Sequence, residues 1–262
     1  MPGDANGLSV SLRRRIRAHY ELVAPLIANG FARTPLVYAT YPRGFDAEAV
    51  WHGPVAQRLP PTVATVAVDI EGIRRSYLAL SAEELLWLCD HAGAVEFHGW
   101  GCTAADPIRA AFARILLKSD APGEPVSAPQ NGHPHREELT SAQAIRQLAG
   151  AALLLHDLLK EDGLQAITLM AGVHGAALWV PFTDGPRYCD LQSYLDGLSS
   201  EAVRRYPQRF ATEPSSHWSG RIRLDVGTNA PGRHSALPYS LHGDDRLYVY
   251  APLTYEELVR CS

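Results

Sequence analysis

The stretch Arg114-Ile115-Leu116-Leu117-Lys118-Ser119-Asp120 reads as a buried strand that ends in charged side chains. Residues two apart on a strand point to the same face, so Lys118 and Asp120 look the same way. A strand end that presents a cation and a carboxylate together is a candidate site rather than plain core. Downstream, Ala121-Pro122-Gly123-Glu124-Pro125 and Pro129-Gln130-Asn131-Gly132-His133-Pro134-His135 read as loop. The whole stretch of about 119–138 is long for a compact domain, which marks it as functional or mobile.

Upstream, Leu12, Ile16, Tyr20, Val23, Leu26 and Ile27 keep helical spacing, and Gly30 suits a helix end. Extended stretches follow at Pro35–Thr40 and Thr62–Val68. Ser81-Ala82-Glu83-Glu84 has the capping-box pattern and opens a short helix. Ala94–His98 reads as a strand running into Gly99-Trp100, and Pro107–Ala113 has no clear period. Beyond the loop, Thr140 or Ser141 caps a long helix to about Glu161, which Gly163 stops.

Strands at Gln165–Met170 and Ala176–Phe182 flank the turn Ala171-Gly172-Val173-His174-Gly175. A polar helix covers about 189–206. Strands close the chain at Arg221–Val226, Ala236–Leu241 and Leu247–Ala251. Helices and antiparallel-looking hairpins mix without regular strand–helix alternation and without an internal repeat. That predicts an α+β fold with mixed and antiparallel sheets flanked by helices. The expected organisation is a single domain over 1–262. Its N-terminal part, about 1–110, is richer in helix, and its later part, about 111–262, is richer in strand.

The 262 residues suffice for a substantial core, with 46% hydrophobic and 20% charged residues. No apolar run reaches eighteen residues, and the first residues lack the apolar segment of a secretory signal. The expectation is a cytoplasmic protein with no membrane contact. Cys89, Cys102, Cys189 and Cys261 are scattered, which argues against a zinc ribbon or a disulfide framework. Net charge is −4, unlike a general nucleic-acid coat protein. Arg204, Arg205, Arg209, Arg221, Arg223 and Arg233 nevertheless cluster in sequence and could form a local basic face. Solvated arginines with acidic partners are the plainer reading.

Several segments, in order, carry a resemblance. They are Tyr20-x-x-Val23-Ala24-Pro25, Tyr41-Pro42-x-Gly44, Glu96-Phe97-His98-x-Trp100 and the 114–120 strand. Then come Ala171-Gly172-x-x-Gly175 with Trp179-Val180-Pro181, Asp225 with Asn229, Pro238-Tyr239-Ser240, and Pro252-Leu253-Thr254-x-Glu256-Glu257-Leu258. Together they resemble the polymerase domain of bacterial DNA ligase D, a primase-polymerase of the archaeo-eukaryotic primase superfamily. The resemblance covers nearly the whole chain. It implies a nucleotidyltransferase fold, nucleotide binding, and DNA repair by non-homologous end joining. It also implies two divalent ions, Mg²⁺ or Mn²⁺, held by three aspartates.

Carried over by position, the second aspartate is Asp120 and the third is Asp225, while the first falls on Lys118. Shifting the match by one to align Pro122-Gly123 pairs the first two with Ser119 and Ala121. Either way the pair is broken. An ammonium removes a ligand and adds a repelling charge; at ~4 Å a unit pair is worth roughly 4 kcal/mol at an effective dielectric of 20. Lys118 is therefore expected to pair with Asp120 and Asp225 in place of a metal. The metal candidates are Asp120 and Asp225, weakly, and no cofactor is expected unless this degenerate pair still binds Mg²⁺ or Mn²⁺.

The triphosphate side departs as well. The resemblance puts Ser, Lys and His in the turn where this chain has Ala171, His174 and Ala177. Arginine and lysine positions fall on Thr40, Gly53 and His242. Candidate catalytic residues are thus Asp120, Asp225, Lys118 and His98. Candidate ligand-binding residues are His174, Gly172, Gly175, Asn229 and His242. His98 reads as a retained site histidine or as a packed core histidine. Asp225 reads as a structural ion pair or a ligand contact. His133-x-His135 lacks a nearby third ligand and reads as polar loop.

Three functions stay open. One is a pseudoenzyme that binds a nucleotide or nucleic-acid end without metal-dependent transfer. Another is a repurposed enzyme acting on a nucleotide-like or phosphorylated small molecule. The third is a non-catalytic interaction module that meets DNA ends through the six arginines.

Overall fold

The computed structural model describes residues 7–32, 34–55, 63–119, 141–172, 175–212, 220–243 and 247–262. Its elements in chain order begin with α1 (Val10–Phe31), β1 (Pro35–Thr40), β2 (Val50–His52), β3 (Thr65–Ile70), β4 (Ile73–Ala79), α2 (Ala82–His91), β5 (Glu96–Trp100) and β6 (Phe112–Lys118). They continue with α3 (Ser141–Glu161), β7 (Ile167–Met170), β8 (Ala176–Pro181), α4 (Tyr188–Arg205), β9 (Phe210–Ala211) and β10 (Ile222–Asp225). The last are β11 (His234–Ala236), β12 (Leu241–Gly243), β13 (Leu247–Val249), β14 (Ala251–Leu253) and α5 (Tyr255–Cys261). The fold is α+β, with mixed and antiparallel sheets.

The chain divides into two compact units, each discontinuous in sequence. The first comprises residues 1–112, 182–188 and 228–251; the second comprises 113–181, 189–227 and 252–262.

In the first unit a sheet runs in the order β11-β5-β1-β4-β3, with β2 also paired to β1. β1 is central because it is apolar on both faces: Leu36, Val37 and Ala39 are all buried. β3 and β4 form a hairpin whose tip, Glu71-Gly72, takes positive φ at both residues, as a tight two-residue turn requires. α1 places Ile16, Tyr20, Ala24 and Ile27 inward at helical spacing. The buried Tyr20 hydroxyl donates to the Val95 carbonyl at 2.7 Å and accepts from the Leu241 amide at 2.9 Å. Ser240 is fully buried; its hydroxyl accepts from the Phe97 amide at 2.8 Å and donates to the Leu241 carbonyl. It is a structural strand-end hydroxyl.

In the second unit the sheet order is β14-β7-β8-β6-β10-β9. β9 joins β10 in parallel and β10 joins β6 antiparallel. α3 buries Ala144, Leu148, Ala152, Leu155 and Leu159, one face repeating every three to four residues. Arg114 is completely buried on β6 with its guanidinium 5.9 Å from the Trp179 ring centroid, a cation–π placement.

Several expectations shift. Ser81 does cap α2, accepting from the Glu84 amide at 3.2 Å. The Glu84 carboxylate, however, takes the Ala64 amide at 3.0 Å, so side-chain burial displaces the closed capping box. The expected strand 236–241 is two strands, β11 and β12, broken at Tyr239, whose φ of 63° is left-handed. The expected strand 247–251 is likewise split into β13 and β14. Val50–His52 and Ile73–Ala79 form strands that no periodicity announced. The complete capping box at Thr254 and Glu257 starts α5, and its T-x-x-E pattern was present in the sequence. Asp120, His133, His135, His174 and the 120–140 segment lie outside the described residues. Among the described residues no helix is long and apolar enough to cross a membrane.

Candidate functional site

β5 carries the chemistry of the first unit. Strand alternation puts Glu96 and His98 on one face while Phe97 packs, fully buried, on the other. Glu96 is only 2% exposed. A buried carboxylate needs donors, and three segments supply them. His98 donates from Nε2 at 2.7 Å, His242 on β12 donates from Nδ1 at 3.0 Å, and the Tyr41 hydroxyl donates at 3.0 Å. Burial alone would raise the Glu96 carboxyl. The hydrogen bonds and charges of His242 and His98 outweigh it and bring the group down to about 2. Burial, followed by the charge of Glu96, pushes the Tyr41 phenol up, so it remains a donor.

The other ring nitrogen of His98, Nδ1, lies 3.0 Å from Nδ1 of His234 on β11. The β11–β5 register sets Ala236 opposite His98 and His234 opposite Trp100, so His234 is its diagonal neighbour. Trp51 on β2 lies edge-on to His98, with centroids 4.5 Å apart, and is tilted against His234 at 5.3 Å. Beside it, His52 Nε2 is 3.0 Å from the Thr40 hydroxyl, and burial lowers the His52 imidazole.

The second unit holds Lys118 and Asp225. The β6–β10 register pairs Lys118 with Arg223 and Leu116 with Asp225. Lys118, Arg223 and Asp225 therefore share one face, while Leu117 and Leu224 fill the other. Lys118 Nζ is 3.4 Å from Asp225 Oδ2, and an Arg223 amine is 3.6 Å from the same oxygen. The Gly227 amide donates to Asp225 Oδ1 at 3.1 Å. A polar pocket of about 420 Å³ adjoins this face, lined by Asp196, Ser199, Thr212, Arg223 and Asp225 among others.

In the 171–175 turn, Gly172 has φ 61° and Gly175 has φ 146°. A Cβ on Gly175 would sit 2.8 Å from the Leu117 carbonyl oxygen. Asn229 is 2% exposed in the first unit. Of the six arginines, Arg204 is held by Glu201 at 2.6 Å and Arg205 by Glu161 at 2.7 Å as well as by Glu201. Arg204 and Arg205 hold the Glu201 carboxyl down at about 2.

Of the sequence-selected residues, the structure joins His98 with His242 and Lys118 with Asp225. Glu96, Tyr41, Trp51 and His234 complete the arrangement around His98 and were not selected. The spacing Glu96-x-His98 on a strand was the available signal, because period two puts both side chains on one face.

Residues 136–262 match the family model described as LigD, primase-polymerase domain. The multifunctional non-homologous end joining protein LigD of Mycolicibacterium smegmatis is 23% identical over 242 residues, covering 92% of this chain. The bifunctional non-homologous end joining protein LigD of Bacillus subtilis is 24% identical over 223 residues, covering 83% of this chain. The polymerase domain from Mycobacterium tuberculosis ligase D, solved in complex with DNA, superposes with a TM-score of 0.78 at 21% identity. That match covers 100% of this chain and 89% of the other.

The chain resembles the LigD primase-polymerase domain in fold, and in sequence most clearly over residues 136–262. It spans 29% and 32% of the length of the two LigD proteins it matches. Against the two-metal site that the sequence resemblance implies, the described part of the Lys118 face fits poorly. It offers one carboxylate, Asp225, faced by the cations Lys118 and Arg223. Two divalent ions about 3.5–4 Å apart need several anionic ligands. Among the described residues no three His, Cys, Asp or Glu side chains converge as a metal site.

Proposed function

We propose that this chain is a degenerate LigD-type primase-polymerase domain. It binds a nucleotide or nucleic-acid end, and its metal-dependent nucleotidyl transfer is impaired. The reading rests on the Lys118–Asp225 pair at 3.4 Å. The ammonium occupies the position of a carboxylate in the implied motif and pairs with Asp225, one of the two carboxylates that remain. The kinship with LigD proteins supports a place in end joining.

Primer extension and ribonucleotide addition with Mn²⁺ test it. Extension no greater than a no-protein control is expected, alongside retention of a recessed-end duplex in a gel-shift assay. Clear extension that Asp225→Ala abolishes overturns the reading.

A second reading is favoured by the histidines gathered around Glu96. It is a repurposed enzyme for a nucleotide-like or phosphorylated small molecule, with His98, His174 and Asp225 as binding or acid–base groups. Thermal-shift screening of nucleosides, nucleotides and sugar phosphates at several pH values tests it. A stabilisation lost on replacing His98 and His174 together supports this reading, and no response to any of them counts against it.

DNA contact through the arginines is the weaker electrostatic element, since Arg204 and Arg205 already bond Glu161 and Glu201. Duplex binding that does not weaken with salt removes it.

A further inference from the structure

α4 carries two neighbouring stripes of side chains. Leu191, Leu195, Leu198 and Ala202 recur every three to four residues and are buried. Gln192, Asp196, Ser199 and Ser200 form the stripe beside them and line the cavity of about 420 Å³. Across it stand Arg223 and Asp225 of β10, so the whole cavity belongs to the second unit. Its volume is within the range of small-molecule sites, about 300–1,000 Å³.

Two of these side chains keep hydrogen-bonding capacity that the fold does not use. A serine inside a helix commonly turns its hydroxyl back to the carbonyl four residues earlier. Ser193 does so to Cys189 at 3.0 Å, and Ser200 to Asp196 at 2.8 Å. Ser199 does not. It is 5% exposed, lines the cavity, and its hydroxyl has no hydrogen bond among the described residues. A hydroxyl buried this deeply is costly until it finds a partner. The Gln192 amide donates to Asp196 Oδ1 at 2.8 Å, which orients that carboxylate and leaves Oδ2 to accept.

The lining selects a class of ligand. Asp196 and Asp225 are balanced by Arg223 and by Lys118 beside it, so neither a phosphate nor an amine meets a net opposite charge. No aromatic side chain is among the described lining residues, so a nucleobase finds no ring to stack on. Carboxylates only accept, a guanidinium only donates, and hydroxyls and amides do both. Such a mixture matches a ligand that itself donates and accepts at adjacent atoms.

We propose that this cavity binds an uncharged polyol, a free sugar or the sugar of a nucleoside, through two neighbouring hydroxyls. One hydroxyl donates to Asp196 Oδ2, and the other exchanges a hydrogen bond with Ser199. The site goes beyond the transfer-impaired reading: it needs no metal, and its two deciding residues lie on α4 rather than on the Lys118 strand pair.

Calorimetry on the full chain tests it, with myo-inositol, D-ribose and adenosine as probes and cyclohexanol as the ring with a single hydroxyl. At least one polyol should bind with a Kd on the order of 1 mM or tighter. Cyclohexanol should bind at least tenfold more weakly, because a site built on hydroxyl hydrogen bonds rejects the analogue that lacks them. Adenosine binding more tightly than D-ribose assigns the site to a nucleoside sugar; the reverse order assigns it to a free sugar. Ser199→Ala and Asp196→Asn should each weaken binding at least fivefold, while Ser193→Ala, whose hydroxyl is held by its own helix, should leave it unchanged. Ser199→Ala, a small-for-small change, decides the matter if Asp196→Asn does not fold. No binding of any polyol at tens of millimolar overturns the proposal. So does binding that both α4 variants leave intact, or displacement of the polyol by inorganic phosphate. None of these readouts depends on nucleotidyl transfer, so this site and the transfer-impaired reading fail separately.

Discussion

The Nζ atom of Lys118 sits 3.4 Å from Oδ2 of Asp225 across the β6–β10 ladder, one pair diagonal to its direct partner Arg223. The Asp225 carboxylate is thus already matched by a cation. Replacing Lys118 by Asp removes that cation and adds a ligand. Lys118→Asp should bind Mn²⁺ at least tenfold more tightly than the native protein, about 1.4 kcal/mol, by calorimetry. Unchanged affinity would mean that the lysine is not what disfavours metal.

The same pair should matter little for stability. Both side chains are about a third exposed. Asp225→Asn should cost no more than about 1 kcal/mol in urea unfolding, as partly exposed pairs do. Glu96→Gln, which disturbs a buried and hydrogen-bonded carboxylate, should cost about 3–5 kcal/mol.

Acid should act through Glu96. Its carboxyl falls from an ordinary 4.5 to about 2 in the fold. The unfolded chain therefore binds more protons in this range, and folding stability falls as pH drops. The Glu96 contribution is fully present above about pH 4.5 and is lost progressively towards pH 2. Urea midpoints across that window should decline in the native protein, and Glu96→Gln should flatten the decline.

His156 should respond at milder pH. Its Nε2 lies 2.8 Å from the Thr168 hydroxyl, and burial lowers its imidazole below the ordinary 6.5. The folded form resists a proton that the unfolded form accepts. Its contribution is present above about pH 6.5 and is lost as pH falls below it. His156→Gln should reduce the slope of stability against pH between pH 7 and pH 5.

Backbone geometry separates two glycines. Gly175→Ala meets the Leu117 carbonyl at 2.8 Å from a left-handed φ of 146°, and should destabilise by about 1–3 kcal/mol. Gly150 lies inside α3 with open space around a would-be Cβ, so Gly150→Ala should stabilise by about 0.5–1 kcal/mol. Thermal unfolding of the two variants checks the opposite signs.

The elements that were legible from sequence are those with strong local signals. α3 and β8 follow from periodicity and end residues, and α1 from periodicity, with Gly30 lying inside the helix rather than past its end. The strands β2 and β4 were not legible, because Val50-Trp51 and Ile73-Arg74-Arg75-Ser76 are exposed and gain their order from cross-strand pairing. The kink at Tyr239 depends on a left-handed residue that is not glycine, which no turn pattern flags. His98 was visible through its motif. His234 was not, since it lies 136 positions further along the chain and comes within reach only when the chain has folded back.

That return of the chain bears on synthesis at the ribosome. β5 receives its neighbour β11 only when residues 234–236 have emerged. At about 5–20 residues per second, the sheet begun at Pro35 waits roughly ten seconds or more for its last strand. Throughout that interval the β5 edge and the Glu96 side chain lack both His234 and His242. The nascent first unit therefore carries an open strand edge, a template for pairing with another chain, and a Glu96 carboxylate without its His242 bond.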